Sequence, residues 1–159
     1  MSDWFVVNAR DAQWLDTTMG KFCAFEPDGE RFAQMGFNLN VLAPGEPMAM
    51  YHREDGQEAF LVLDGECTLI VAGEERPLRR WDFFHCPPHV DHVIVGAGDR
   101  PALVLAVGSR MNGRGVFYPA DAVARKHGAA PAADTADPKE AYAGHRVEKA
   151  ADQEGWLPE

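Results

Sequence analysis

Residues 44–65, PGEPMAMYHREDGQEAFLVLDG, decide the fold that this chain is expected to adopt. Within this run His52 and Glu54 lie two residues apart, and Glu58 follows just before an apolar stretch. Side chains two residues apart in an extended strand project from the same face, so His52 and Glu54 are expected to point together. Imidazole and carboxylate groups that converge on one face of a sheet are typical ligands of a divalent transition metal. The run therefore predicts a metal site, and His92 supplies a further histidine later in the chain.

Strand-like stretches surround this run, and Gly or Pro turns separate them. Residues 35–41 alternate between apolar and polar side chains, which is typical of a half-buried strand. Residues 60–63 are apolar without alternation, as expected of a strand that is covered on both faces. Further strand-like stretches occupy residues 67–72, 77–86, 92–95 and 102–107. Because no helix of ordinary length is predicted within residues 32–108, the pattern indicates an all-β jelly roll.

Composition narrows the classes of protein to which the chain can belong. Its 159 residues, 46% of them hydrophobic, are enough for one domain with a substantial core. A net charge of −10 argues against nucleic acid and anionic membranes as partners, because both select basic surfaces. Neither a signal peptide nor an apolar run of about 18 residues is recognisable, so a cytoplasmic protein is expected. The cysteines Cys23, Cys67 and Cys86 have no CxxC spacing and are expected to be small buried hydrophobes.

The segments on either side of this region carry weaker signals. Residues 1–31 mix short apolar pieces with polar breaks and are expected to pack as strands and turns on a barrel formed by residues 32–118. Residues 119–159 are expected to form a tail with short helices, because the Asp-Pro pair at 137–138 is a helix start signal. Trp156 is expected to dock on the barrel or on a neighbouring subunit, unless the tail is mobile.

The chain resembles the cupin superfamily, whose members are small barrels built as a double-stranded β-helix. The first cupin motif is G-x5-H-x-H-x3/4-E-x6-G, and here it runs from Gly45 through His52, Glu54 and Glu58 to Gly65. One extra residue follows the first glycine, and Glu54 stands where the family has its second histidine. The spacing of the remaining positions is that of the family.

The second cupin motif, G-x5-P-x-G-x2-H-x3-N, is matched less completely. Pro87 and His92 keep its spacing. The two glycines and the asparagine of the motif are replaced by Trp81, His89 and Gly96. This second motif therefore supports the resemblance only in combination with the first.

The resemblance covers about residues 35–108 and implies that a single metal is bound by His52, Glu54, Glu58 and His92. Two imidazoles with one carboxylate suit zinc, iron, manganese or nickel, and a second carboxylate from Glu54 shifts the preference toward iron, manganese or zinc. Glu58 is expected on the same face of its strand as apolar residues that follow it, and therefore to be buried. A buried carboxylate needs a counter-charge, which a metal supplies. The alternative is a metal-free cavity that keeps hydrogen-bonded polar side chains. Glu54 is also open, because its surroundings are loop-like and it is either a ligand or a solvated charge.

His85 is the candidate catalytic residue outside this ligand set. If Asp82 faces solvent at the start of its strand, alternation turns His85 toward the cavity, where an imidazole serves as acid or base near neutral pH. The alternative is a histidine that is hydrogen-bonded between strands. Asn38 and Asn40 form a polar face on an earlier strand, which either lines the cavity mouth or faces solvent.

The function expected from these features is that of a metal-binding cupin with one divalent transition metal and a small-molecule ligand. The resemblance also implies a homodimer. A metal-dependent enzyme with dioxygenase, isomerase or decarboxylase chemistry is one hypothesis. A non-catalytic binding or sensor protein is the second, and a structural cupin with an empty site is the third. The presence of both Glu58 and His92 favours the enzyme and the binding-protein hypotheses over the structural one. The sequence does not separate those two hypotheses, because one fold hosts many chemistries.

Overall fold

Antiparallel strands make up most of the computed structural model, which describes residues 4–113, 115–150 and 155–159. The elements in chain order are β1 (Trp14–Thr17), β2 (Lys21–Ala24), β3 (Met35–Leu42), β4 (Arg53–Glu54), β5 (Glu58–Asp64), β6 (Glu66–Val71), β7 (Glu74–Arg79), β8 (Phe83–Cys86), β9 (His92–Ala97), β10 (Ala102–Ser109), β11 (Val116–Phe117), α1 (Ala122–Lys126), α2 (Pro138–Ala141) and β12 (Val147–Lys149). The prediction of an all-β fold with short C-terminal helices is confirmed.

Two sheets face each other and enclose the core. The larger sheet has the strand order β12-β1-β2-β3-β10-β5-β8, and the smaller has the order β7-β6-β9. The short strands β4 and β11 form a separate pair. All of these pairings are antiparallel. Packing of the two antiparallel sheets in this way gives the predicted jelly-roll barrel, a double-stranded β-helix.

The main core fills the space between the two sheets. Phe60 and Val62 of β5 and Val104 of β10 project into it from the larger sheet, and Leu69 and Ile94 meet them from the smaller sheet. All five side chains are buried. The apolar run of β5 is thus covered as its lack of alternation predicts, and the barrel walls around the predicted motif are held by hydrophobic packing.

The N-terminal and C-terminal segments extend the larger sheet at one edge. β12 pairs with β1, and the N–H of Thr18 donates to the carbonyl of Arg146 over 3.1 Å just beyond that pairing. Trp156 packs edge-on against Trp14 of the same chain, with ring centroids 5.7 Å apart. The structure therefore docks Trp156 on the chain's own N-terminal strand.

Both helices begin at an aspartate cap. The side chain of Asp121 accepts from the N–H of Val123 at the start of α1, and Asp137 accepts from the N–H of Lys139 at the start of α2. Such caps satisfy backbone donors that have no partner within the helix. Within the described parts of the chain, neither helix has the length and apolar character needed to cross a membrane.

Candidate metal centre

His52 and His92 lie side by side because their backbones form a reciprocal hydrogen-bonded pair. The N–H of His52 donates to the carbonyl of His92 over 3.1 Å, and the N–H of His92 donates back over 2.8 Å. Residues paired directly across an antiparallel bridge project from the same face. Their imidazole centroids are accordingly 4.8 Å apart, so local strand geometry brings together two histidines that are distant in sequence.

Backbone carbonyls fix the orientation of both imidazoles. Nδ1 of His52 lies 2.6 Å from the carbonyl oxygen of Met50, and Nδ1 of His92 lies 3.0 Å from that of Val90. A carbonyl oxygen only accepts, so each Nδ1 must carry the hydrogen, and each neutral ring then presents a lone pair on Nε2. Backbone acceptors of this kind hold metal-ligating histidines in one tautomer.

Glu58, the first residue of β5, completes a cluster of three side chains. Its Oε2 atom lies 3.1 Å from Nε2 of His92 and 3.8 Å from Nε2 of His52. One potential ligand atom from each residue lies within 4.8 Å of the other two. Atoms bound to one ion at about 2.1 Å are separated by about 3.0 to 4.2 Å as the angle between them widens from about 90° to about 180°. The three groups therefore fit one transition metal ion after small side-chain adjustments.

The Nε2 atom of His92 is a buried polar atom that has no hydrogen-bond partner among the residues described. Oε2 of Glu58 is close enough, but with the hydrogen on Nδ1 the two facing atoms both present lone pairs. Leaving a buried polar atom without a partner costs about 1–3 kcal/mol. A cation between Nε2 and Oε2 removes this cost, which is why the donor set fits a metal.

Without a metal, the same surroundings favour a proton on Nε2 of His92. Burial lowers the pKa of His92, but the hydrogen bond that the protonated ring donates to Glu58 and the negative charge of that residue outweigh burial, so the pKa of His92 is raised. Nearby, hydrogen bonding to His52 lowers the pKa of Glu54 against the opposing effect of burial. Both shifts show that this part of the protein favours positive charge between its imidazoles and carboxylates.

Glu54 lies beside the cluster of three but is not a member of it. It belongs to β4, and its Oε1 atom lies 3.6 Å from Nε2 of His52. Its side chain is 39% exposed, compared with 15% for Glu58. Glu54 therefore lines the same cavity as His52 and keeps access to solvent, and its role as a fourth ligand stays a prediction.

The structure corrects the expected orientation of His85. Asp82 lies in the turn before β8, where its Oδ2 atom accepts from the N–H of Arg79 over 2.9 Å, so it does not set the alternation of the strand. Phe84 turns inward instead and stacks on Phe60 with ring centroids 5.7 Å apart. His85 consequently projects outward, is exposed and does not line the cavity. An acid or base role inside the cavity does not fit this position.

A cavity of about 450 Å³ opens beside the three clustered side chains. Asn38 and Asn40 on the inner face of β3 line it, and Asn40 is only 6% exposed. The polar face predicted for this strand thus points into the cavity. Phe60 and Ile94 are among the apolar side chains of its wall. The volume suits a small molecule, and polar groups within a mostly apolar wall are typical of ligand sites.

Sequence reasoning missed the residues that close the cavity from outside the motifs. Met19 lines it from the N-terminal side, and Tyr118 and Tyr142 line it from the C-terminal side. The ring of Tyr118 lies 5.9 Å from that of His52, centroid to centroid. The available signal was weak, since it consisted only of isolated aromatic residues in segments without clear periodicity.

Comparison with known proteins points to the same part of the chain. Residues 38–108 match the family model described as the cupin domain. Residues 38–108 of this chain are a cupin domain. The resemblance predicted from the two motifs is therefore confirmed, and the matched region of this cupin includes the clustered His52, Glu58 and His92. No curated protein matches the sequence significantly.

Solved structures share the cupin fold. A proposed sugar phosphate isomerase from Acidithiobacillus ferrooxidans is 27% identical, and the match covers 61% of this cupin and 63% of that chain with a TM-score of 0.51. A sugar phosphate isomerase of the cupin superfamily from Silicibacter pomeroyi is 24% identical over 61% and 72% of the two chains, with a TM-score of 0.53. A predicted oxalate decarboxylase from Thermotoga maritima is 18% identical over 66% and 98%, with a TM-score of 0.58. This cupin thus spans less than two thirds of the first of these proteins.

Proposed function

We propose that this cupin holds one divalent transition metal on His52, Glu58 and His92 and acts on a small oxygen-bearing metabolite in the adjoining cavity. One observation carries the proposal. Two largely buried imidazoles, each tied through Nδ1 to a backbone carbonyl, place their Nε2 atoms within 3.8 Å of the same Glu58 oxygen, Oε2. Zinc, iron, manganese and nickel all accept such a donor set.

Glu54 is proposed as a fourth ligand. Its Oε1 atom lies 3.6 Å from Nε2 of His52, which is inside the range of about 3.0 to 4.2 Å for two ligands of one ion. A second carboxylate favours iron, manganese or zinc over softer metals. Glu54→Gln should weaken metal affinity by about tenfold or more, as loss of groups that ligate or orient a metal typically does, and unchanged affinity would rule Glu54 out as a ligand.

The chain's own residues supply binding and water exclusion. The metal, when bound, supplies Lewis-acid polarisation of a substrate oxygen. The amides of Asn38 and Asn40 face the same space and offer donors and acceptors to substrate hydroxyl or carbonyl groups. Phe60 and Ile94 keep water away from that part of the cavity. Among cupin chemistries we favour isomerisation of a small hydroxy-carbonyl compound, because the 27% identical Acidithiobacillus protein carries the name of a sugar phosphate isomerase.

Elemental analysis of the purified protein tests the metal part of the proposal. The wild-type protein should contain about one equivalent of metal per chain, and the His52→Ala/His92→Ala double variant should lose it. His127→Ala is the matched control, because His127 pairs with Glu75 outside the cavity. Equal metal content in the double variant and the control would overturn the assignment of the ligands.

Turnover by the metal-loaded protein tests the catalytic part. Pentose and hexose phosphates are incubated with loaded and metal-free protein and followed by proton NMR, and an isomer that forms only with metal supports the proposal. Catechols are followed in parallel by oxygen uptake, which would instead indicate a dioxygenase. Metal binding without any turnover would favour the alternative of a non-catalytic binding or sensor cupin.

A further inference from the structure

Tyr142 reaches the cavity from outside the matched cupin domain. It follows α2 directly, and its N–H donates to the carbonyl of Pro138 over 2.9 Å. Its ring packs edge-on against Tyr118 with centroids 5.7 Å apart. The side chain lines the cavity together with His52 and Glu58. The C-terminal segment, defined here as residues 138–150, therefore adds a polar group to the site that residues 38–108 do not contain.

The hydroxyl oxygen of Tyr142 is anchored to the backbone. The N–H of Met50 donates to it over 3.1 Å. A phenolic oxygen has two acceptor sites and one hydrogen of its own. Apart from the neighbouring hydroxyl of Tyr118, no side chain in the described ranges offers that hydrogen an acceptor. With its oxygen held by Met50, the hydroxyl can direct its hydrogen to a molecule in the cavity that the side chain lines.

Tyr142 keeps its hydrogen at neutral pH. Burial raises the pKa of the phenol, and the negative charges of Glu54 and Glu58 raise it further, against the lowering effect of the hydrogen bond from Met50. Tyr142 therefore acts as a donor, and neither a base nor a nucleophile is expected at this position.

We propose that Tyr142 is a ligand-binding residue and that its hydroxyl donates a hydrogen bond to an oxygen atom of the molecule held at the metal centre. This inference rests on the proposed metal site. The ligand class it implies has at least two oxygen donors, one for the metal and one for Tyr142, as in hydroxy acids, dicarboxylic acids and hydroxy-carbonyl compounds. Selection for such ligands then depends on the C-terminal segment as well as on the cupin motifs.

The surrounding contacts hold the hydroxyl of Tyr142 in place. Asp137 caps α2 by accepting from the N–H of Lys139 over 2.9 Å. Beyond Tyr142, the hydroxyl of Thr18 lies 2.8 Å from Nδ1 of His145, and β12 continues the larger sheet. A donor fixed in this way loses little conformational entropy when a ligand binds, which increases the affinity that one hydrogen bond provides.

Ligand binding to the cobalt-loaded full-length protein tests the inference. Cobalt(II) affinity is measured first, and oxalate and glycolate are then titrated while the visible absorption of the bound cobalt is followed. Tyr142→Phe should bind at least one of these probes about five- to tenfold more weakly, the loss expected for one hydrogen bond. Its cobalt affinity should stay within about twofold of wild type, since the phenol is not a ligand.

The cobalt affinity and one further variant separate direct contact from a purely structural role. Cobalt affinity is the structural readout, since a Tyr142→Phe variant that is merely distorted should lose affinity for the metal as well as for the probes. Tyr51→Phe is the matched control, because its hydroxyl accepts from the N–H of Gly73 outside the cavity. Equal weakening by Tyr51→Phe and Tyr142→Phe would overturn the inference, as would unaltered probe binding by Tyr142→Phe.

The remaining outcomes distinguish this inference from the proposed function. If the wild-type protein binds cobalt but neither probe, the inference fails, because the hydroxyl then faces a cavity that takes no ligand with two oxygen donors, while the metal site stands. If the wild-type protein does not bind cobalt, the proposed metal function fails, and the inference that rests on it fails with it.

Discussion

Replacing Glu58 by Gln is expected to abolish stabilisation of the fold by a divalent metal. The carboxylate lies 3.1 Å from Nε2 of His92 and 3.8 Å from Nε2 of His52, so it is the one negatively charged member of the cluster. Gln keeps the shape of the side chain but has no charge with which to balance a divalent ion. The substitution therefore removes metal affinity with little change in packing.

The magnitude follows from mass action. A metal that binds only the folded state stabilises it by about 2.7 kcal/mol when its free concentration is about 100 times the Kd. For a chain of 159 residues, each kcal/mol raises Tm by roughly 2–4 °C. Wild-type protein should therefore gain about 5–10 °C in Tm with zinc at that concentration, and Glu58→Gln should gain almost nothing.

The comparison should be made above the raised pKa of His92. Although burial lowers that pKa, the hydrogen bond and charge of Glu58 raise it overall. In metal-free protein, the pair of His92 and Glu58 therefore makes its full contribution to stability at pH values below the ordinary histidine pKa. This contribution is lost as the pH rises through the raised pKa of His92. Above that value, wild type and variant differ mainly in their response to metal.

Scanning calorimetry with zinc and with a chelator measures the effect. Glu30→Gln is the matched control, because Glu30 is exposed and distant in sequence from the motifs, and it should show the full rise in Tm. The His92 pKa in metal-free protein is located beforehand by NMR titration. A zinc-induced rise in Glu58→Gln equal to that of the control would refute the reasoning.

Three further predictions concern the stability of the fold. Gly96→Ala should lower the free energy of unfolding by about 3 kcal/mol or more, because a Cβ at this position would clash with the carbonyl oxygen of Ala43. Urea unfolding measures the loss. Gly108→Ala is the control, since its Cβ would make only an ordinary contact at 3.8 Å. Ala72→Asn should raise the free energy of unfolding by about 0.5–1 kcal/mol in the same assay. Ala72 has a φ of 49° in the two-residue turn between β6 and β7, a conformation that Asn adopts more readily than Ala. A loss of stability would contradict this prediction. Metal-free protein should become less stable as pH rises through the raised pKa of His92, and urea titrations that show the opposite trend would exclude this contribution.

The cupin barrel could be predicted because its signals are local. Strand alternation, Gly and Pro turns and the spacing of His52 to Glu58 each lie within a short stretch of sequence, and His92 belongs to a second short motif. The antiparallel bridge between His52 and His92 then turns this spacing into proximity. Glu54 is harder to assign from spacing alone, because its side chain has access both to the cavity and to solvent.

The incomplete second motif has a backbone explanation. Trp81 and His89 replace the two motif glycines, yet they adopt φ values of 76° and 65°, in the left-handed region that glycine normally serves. Gly96 replaces the motif asparagine where the carbonyl oxygens of Ala43 and Leu42 leave no room for a side chain. The chain path of the motif is thus kept although three of its residues differ.

The structure departs from sequence expectation where local patterns do not decide it. A cavity-facing His85 depends on Asp82 starting the strand, whereas Asp82 belongs to the preceding turn. Tyr118 and Tyr142 reach the cavity only through docking of distant segments, which hydrophobic periodicity does not encode. The same is true of the contact between Trp156 and the N-terminal strand.

X-ray absorption spectroscopy of the zinc-loaded protein tests the central claim most directly. The account predicts two imidazole ligands per zinc, from His52 and His92, with the Glu58 carboxylate as a further ligand and bond lengths of about 2.0–2.2 Å. The His52→Ala/His92→Ala variant should give no such spectrum. A single imidazole or none in the wild-type spectrum, or a sulfur ligand at about 2.3 Å, would contradict the account.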